Sequence, residues 1–175
     1  MDPDLVAAAV RVLDANRALG RMVAVAESCT GGLVSAALTE IAGSSDVFER
    51  GYVTYSNEAK LEAIGVNSDI LVTFGAVSVA VAWAMAQGAL KHSHADLAVA
   101  ITGIAGPGGG STKKPVGTVV FARALRGGDP DTVVADVRQF GDLGRSEIRR
   151  QAALVALELL MPDEGDKVET AAGAP

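Results

Sequence analysis

Four residues of strand character, Val23-Ala24-Val25-Ala26, run straight into Glu27-Ser28-Cys29-Thr30-Gly31-Gly32, and a helical pattern with apolar residues at 33, 34, 37, 38 and 41 begins at once. Strand, tight turn and helix in immediate succession point to an α/β sheet. The turn also presents its side chains at a sheet edge, next to the free N–H groups of a helix's first turn. Ser28 and Cys29 are therefore both candidate nucleophiles beside an anion-stabilising backbone. The competing roles are an N-cap for Ser28 and simple packing for Cys29.

The rest of the chain repeats the alternation. Asp2 to Leu19 carries Leu5, Val6, Ala9, Val10, Leu13 and Ala18 at helical spacing, with Pro3 suited to a first turn and Gly20 to a stop. The first strand is 22–26, and the helix after it ends near Gly43-Ser44-Ser45. Gly51-Tyr52-Val53-Thr54-Tyr55 reads as a second strand and Asn57 to Ile64 as a short helix. Gly75 and Ser78 introduce a long alanine-rich helix reaching about Lys91. Leu97 to Ile101 is a continuous apolar run suited to a central strand.

A glycine-rich loop, 103–110, follows. Val116 to Ala124 and Thr132 to Phe140 form a hairpin across Arg126-Gly127-Gly128-Asp129-Pro130, and Ile148 to Leu160 is a last helix. Three strands joined through helices should be parallel, and the fourth returns antiparallel. The expected fold is a three-layer α/β/α sandwich with a mixed five-stranded sheet, one strand antiparallel. It fills a single domain over residues 1–161, and the small, acidic segment 162–175 is expected to be a disordered tail.

Composition narrows the partners. A net charge of −6 argues against nucleic acid, since the densest basic cluster is only Arg145, Arg149 and Arg150. One cysteine allows no intramolecular disulfide, and Met1-Asp2-Pro3-Asp4 is unlike a secretory signal, so a cytoplasmic setting is expected. The longest apolar stretch, Val77 to Leu90, is broken by Ser78, Gln87 and Gly88 and falls short of the ~20 residues a membrane span needs. Because Val77, Val79, Val81, Trp83 and Met85 cannot share one helical face, that helix is apolar nearly all round and is read as a subunit contact, giving a homodimer or higher homo-oligomer.

Three loops should leave the carboxyl ends of parallel strands, where open α/β sheets bind ligands: Glu27 to Gly32, Tyr55 to Lys60, and Thr102 to Gly110. They gather Ser28, Tyr55, Ser56, Asn57, Lys60 and a glycine-lined cradle in one crevice. Serine needs a base. His92 and His94 are the only histidines, at the far end of the long helix, which leaves Lys60 with a pKa depressed by burial or by neighbouring charge. The bland alternative for Lys60 is a solvated helix lysine between Glu58 and Glu62. Glu27 is assigned an orienting role.

Other constellations are weaker. Tyr55 and Lys60 lie five apart, not four as in the Tyr-x-x-x-Lys pair of short-chain dehydrogenases, and no dinucleotide fingerprint accompanies them. Gly103 to Gly110 is no P-loop, because a strand follows it, although its amides, Lys113 and Lys114 suit an anion. His92-Ser93-His94-Ala95-Asp96 reads as surface, so no metal site and no cofactor are assigned.

The ordered set Ala26-Glu27-Ser28-Cys29-Thr30-Gly31-Gly32, Gly43-Ser44-Ser45, Tyr55-Ser56-Asn57-x-x-Lys60, Gly75-Ala76-Val77-Ser78 and Thr102-Gly103-Ile104-Ala105-Gly106-Pro107-Gly108-Gly109 resembles the CinA C-terminal-domain family over about residues 5–161. The resemblance implies a nicotinamide-nucleotide amidase that hydrolyses nicotinamide mononucleotide to nicotinate mononucleotide and ammonia. It implies Ser28 as nucleophile, Lys60 as base, Tyr55 in support and Ser45 nearby. It also implies Gly103, Gly106, Gly108 and Gly109 in a ligand-facing loop and Arg145 near substrate, although Gly-Asp-Leu-Gly-Arg is looser than the family's Gly-Asp-Arg. On this reading Asn57 and Thr102 face the substrate, and the Thr30-Gly31-Gly32 turn supplies oxyanion donors. The alternative is a nucleotide-binding or regulatory module without catalysis.

Overall fold

A computed structural model describes residues 1–163 and 166. Helix α1 (Pro3–Ala18) opens it, capped by the Asp2 carboxylate, which accepts from the Asp4 and Leu5 N–H groups. Its buried residues Leu5, Ala8, Ala9, Val12, Leu13 and Asn16 keep the 3.6-residue period of one apolar stripe. There follow β1 (Val23–Glu27), α2 (Leu33–Thr39), a 3₁₀ turn (Ser44–Asp46), β2 (Phe48–Val53), α3 (Asn57–Ile64) and α4 (Ser68–Phe74). Then come α5 (Val79–Lys91), β3 (Leu97–Gly103), β4 (Thr118–Leu125), β5 (Ala135–Gln139) and α6 (Arg145–Leu159).

The strands lie in the order β2-β1-β3-β4-β5. β1 pairs parallel with β2 and β3, while β4 is antiparallel to both β3 and β5, so one strand runs against the other four. Side-chain alternation divides the core. Val23, Val25, Leu97, Val99 and Ile101 face α1, α2 and α6; Ala24, Ala26, Ala98 and Ala100 face α5. Alanine on that side lets α5 pack close to the sheet. The result is the expected three-layer sandwich.

Three differences from the sequence reading have simple causes. The second strand is Phe48–Val53, earlier than 51–55, because its register begins with Phe48 opposite Val23 across an irregularity and releases Thr54 and Tyr55 into the loop. Helix α4 was not anticipated, although Asn67 caps it by accepting from the Asp69 N–H. Helix α5 buries Val81, Met85 and Leu90 within the chain, against the sheet and between α3 and α4. Much of its apolar character is therefore taken up by packing within one subunit, while Val79 stays 40% exposed. No helix among the described residues is long and apolar enough to cross a membrane.

The segment expected to be a free tail begins at Pro162, yet within it Asp166 is 7% exposed. Burial raises its carboxyl, but hydrogen bonds from Arg123, the Asp163 N–H and Arg21 outweigh that and hold it at about 2. Residues 164–165 and 167–175 lie outside the described residues.

Candidate active site

β1, β2 and β3 end at one edge of the sheet, and the start of α6 reaches the same edge from β5. A cavity of about 200 Å³ opens there. Ser28 and Cys29 enter it from the turn after β1, Tyr55, Asn57 and Lys60 from the segment after β2, and Thr102, Gly103 and Ala105 from β3 and its loop. Ala76 and Val77, between α4 and α5, and Arg145 of α6 complete the lining.

The turn after β1 is shaped by Glu27. Gly32 stands at the N-cap of α2 with φ 93°, a left-handed conformation suited to glycine, and offers no capping side chain. Glu27, fully buried, caps the helix instead. Its carboxylate accepts from the Gly32 N–H (3.0 Å), the Val34 N–H (3.2 Å), the Ser35 N–H (2.8 Å) and the Ser35 hydroxyl (2.7 Å). A negative group at a helix N-terminus is favoured by the helix dipole. Glu27 is thus the orienting residue expected, and Ser28 is released from any capping duty.

Lys60 is the unusual member. It is 1% exposed, and its Nζ lies 3.0 Å from Ser28 Oγ, 2.7 Å from the Thr54 carbonyl and 3.5 Å from the Ser56 carbonyl. Ser56 caps α3 by accepting from the Ala59 N–H, and the helix starts at the cavity with Asn57. Burial pushes the Lys60 amine below the ordinary lysine range, opposed by the neighbouring Cys29. That opposition requires a thiolate. Desolvation drives the Cys29 thiol up to about 12, so near neutral pH Cys29 is an uncharged, packed group.

Opposite this pair stands Arg145. It donates to the Gly106 carbonyl and the Tyr55 hydroxyl, each at 2.8 Å, so the Tyr55 phenol is engaged by the guanidinium. Two of its five N–H donors are used in this way among the described residues. Thr102 Oγ1 donates to the Ala76 carbonyl at 2.8 Å and pins the segment before α5 against β3.

Several expected site residues stand elsewhere. Ser45 is exposed in the 3₁₀ turn that precedes β2, at the amino edge of the sheet, opposite the cavity. Its neighbours show the placement, for Val47 accepts from the Val23 N–H at the start of β1. The Gly31 N–H donates to the Ser28 carbonyl and the Gly32 N–H to Glu27, so neither is free for an oxyanion, and Thr30 is fully buried outside the lining. Gly108 and Gly109 are exposed and clear of the cavity. Gly103 lines it, but its lack of a side chain serves packing, since a Cβ there would approach Val119 Cγ2 to 2.8 Å and the Thr118 carbonyl to 2.9 Å. Lys114 donates to the Phe74 carbonyl. His92 Nδ1 lies 2.9 Å from the Gly88 carbonyl of its own helix, and no group of three potential metal ligands converges among the described residues.

The sequence placed Ala76 and Val77 in a motif and Arg149 in a basic cluster but assigned none of them, nor the Thr54 carbonyl, to the site. Arg149 donates to the Cys29 and Thr30 carbonyls in the turn after β1. Its signal was available in the i, i+4 spacing from Arg145 on a helix whose start faces the site.

Comparison with known proteins agrees with this architecture. The chain is 51% identical over 159 residues to the nicotinamide-nucleotide amidohydrolase of Escherichia coli K12, covering 91% of this chain and 94% of that protein. A CinA-like protein of Mycolicibacterium vanbaalenii is 54% identical over 141 residues, which are 81% of this chain and 32% of that longer protein. The crystal structure of a competence/damage inducible protein from Agrobacterium tumefaciens superposes with a TM-score of 0.87 at 52% identity, covering 91% of this chain and 95% of that one. The model of the CinA C-terminal domain matches residues 6–163, and the chain belongs to that family.

Proposed function

We propose that this protein is a nicotinamide-nucleotide amidase, converting nicotinamide mononucleotide to nicotinate mononucleotide and ammonia through an acyl-enzyme on Ser28. The observation that carries the reading is the 3.0 Å contact between Ser28 Oγ and a buried Lys60 amine whose hydrogen-bond partners among the described residues are two carbonyls and that hydroxyl. The amidohydrolase name of the Escherichia coli relative supplies the substrate class.

The two carbonyls explain how Lys60 acts as a base. A neutral amine has two N–H groups and one lone pair; with the N–H groups directed to Thr54 and Ser56, the lone pair faces Ser28 Oγ. Lys60 takes the hydroxyl proton as Oγ attacks the carboxamide carbon. The backbone N–H of Cys29, a residue that lines the cavity next to Ser28, is the donor assigned to the developing oxyanion. Collapse of the tetrahedral intermediate breaks the C–N bond while Lys60 returns the proton to the leaving nitrogen, and ammonia departs. Water, activated by the same amine, then hydrolyses the ester and restores Ser28. Arg145, steadied by Tyr55, binds the anionic part of the nucleotide, with Asn57 and the Gly106 turn beside it.

The same reading includes a cytoplasmic location and a homo-oligomer. A lone buried cysteine supports the first, and exposed Val53, Val72 and Phe74 support the second. Ammonia release measured separately with nicotinamide mononucleotide and with free nicotinamide tests the function. Release from the nucleotide alone is expected; binding of the nucleotide without release favours the non-catalytic module.

A further inference from the structure

Arg145 and Arg149 leave α6 one helical turn apart and reach two different parts of the site. Arg145 stands in the cavity wall. Arg149 reaches the back of the nucleophile turn, where Nε donates to the Cys29 carbonyl at 3.2 Å and Nη2 to the Thr30 carbonyl at 2.9 Å. Its neighbour Arg150 serves a different purpose, tying α6 to Asp2 and Asp4 at the start of α1.

The turn that Arg149 grips is almost sealed from water, with Cys29 6% and Thr30 0% exposed. Among the described residues the Cys29 carbonyl accepts from Arg149 alone, so losing the guanidinium leaves it without a donor. A buried carbonyl without a partner drives the peptide to reorient. The grip also fixes direction. In a trans peptide C=O and N–H point opposite ways, so carbonyls of Cys29 and Thr30 drawn toward α6 turn the Thr30 and Gly31 N–H groups away from it. The Gly31 N–H accordingly closes the turn on the Ser28 carbonyl at 3.0 Å. Glu27 holds the far end of the turn by its N–H groups, and the Ser28 N–H is anchored to the Ile101 carbonyl at 2.9 Å.

We propose that Arg149 is a positioning residue for the nucleophile: by holding the Cys29 and Thr30 carbonyls with two prongs of one planar group, it keeps Ser28 Oγ in register with Lys60 Nζ. The proposal rests on Ser28 being the nucleophile. It assigns Arg149 to the chemical step and Arg145 to substrate binding, although both side chains come from the same helix. Lysine cannot reproduce the planar two-pronged geometry.

The test is steady-state ammonia release by wild type, Arg149→Gln, Arg149→Lys and Ser28→Ala, with melting temperatures and the rate of Ser28 labelling by a fluorophosphonate. Arg149→Gln is expected to lower kcat on the order of 100-fold with KM within about threefold, and to slow labelling in parallel. Arg149→Lys should stand between it and wild type, about 10-fold down. A purely structural role would lower the melting temperature and leave kcat per folded molecule and the labelling rate unchanged, and that result overturns the proposal. So does a loss confined to KM. If Arg149→Gln fails to fold, Arg149→Lys decides by the same comparison. Full activity in Ser28→Ala overturns the nucleophile assignment itself, whatever the arginine variants do.

Discussion

The molecule buries positive charge at two ends of its sheet in opposite ways. At the amino edge Arg21 and Arg123, whose side chains are 13% and 10% exposed, converge on the Asp166 carboxylate, itself 5% exposed. At the carboxyl edge Lys60 is 1% exposed and meets two carbonyls and a hydroxyl. The first arrangement stabilises ions; the second disfavours one. Where a cation has only to hold elements together, the chain places an anion beside it. Where the proposed chemistry needs a neutral amine, no carboxylate among the described residues bonds to it, and burial lowers its pKa.

The largest expected effect separates the two ends by activity. Ser28→Ala should lower kcat by about 10⁴-fold or more, and Lys60→Met by about 10³-fold, whereas Asp166→Asn should leave kcat per folded molecule at the wild-type value. Steady-state ammonia release checks all three. Loss of catalysis in Asp166→Asn would erase the distinction between the two ends.

Stability separates them next, and with opposite signs. Asp166→Asn strands two partly buried guanidinium groups and should cost about 3 kcal/mol in denaturant unfolding. Its pH dependence follows from a folded-state value near 2 against an ordinary 3.8. The contribution of about 2 kcal/mol is present above the ordinary value and is lost as pH falls toward 2. Lys60→Met should instead raise the melting temperature, by roughly 2–6 °C. The folded state binds fewer protons than the unfolded chain between the depressed pKa of Lys60 and the ordinary lysine value. Wild-type stability therefore rises with pH through that window, and the gap to Lys60→Met closes.

The smallest effect concerns Cys29. With its thiol up at about 12 and 6% exposed, Cys29 should tolerate change to alanine with a kcat loss under about threefold. Alkylation of the native protein by iodoacetamide should be slow, as read by mass spectrometry.

Much of this was legible in the chain. Runs such as Val23–Ala26 and Leu97–Ile101 announce central strands because burial on both faces demands unbroken apolar residues. The antiparallel return of β4 followed from the absence of a helix between 103 and 118. Convergence of Ser28, Tyr55, Asn57 and Lys60 followed from topology alone, since parallel strands end at a common edge. The placement of Ser45 did not, because a turn before β2 belongs to the opposite edge whatever motif it carries.

Local backbone commitments were the least visible. That the Gly31 and Gly32 amides are engaged inside the turn depends on the Ser28 carbonyl and on Glu27 reaching across to α2, which no spacing rule specifies. The alternation of large and small residues in β1 and β3 was plain in the letters. Its meaning, a close seat for α5, emerged only with the helix in place.

The central claim is that Lys60 is neutral when it meets Ser28. The most direct measurement is an NMR titration of lysine side chains labelled at Cε, with Lys60 assigned through Lys60→Met and compared with Lys91, Lys113 and Lys114. Lys60 should titrate well below the surface lysines, at the pH where kcat/KM rises to its plateau. Titration of Lys60 together with the surface lysines, with activity already complete at lower pH, would contradict it.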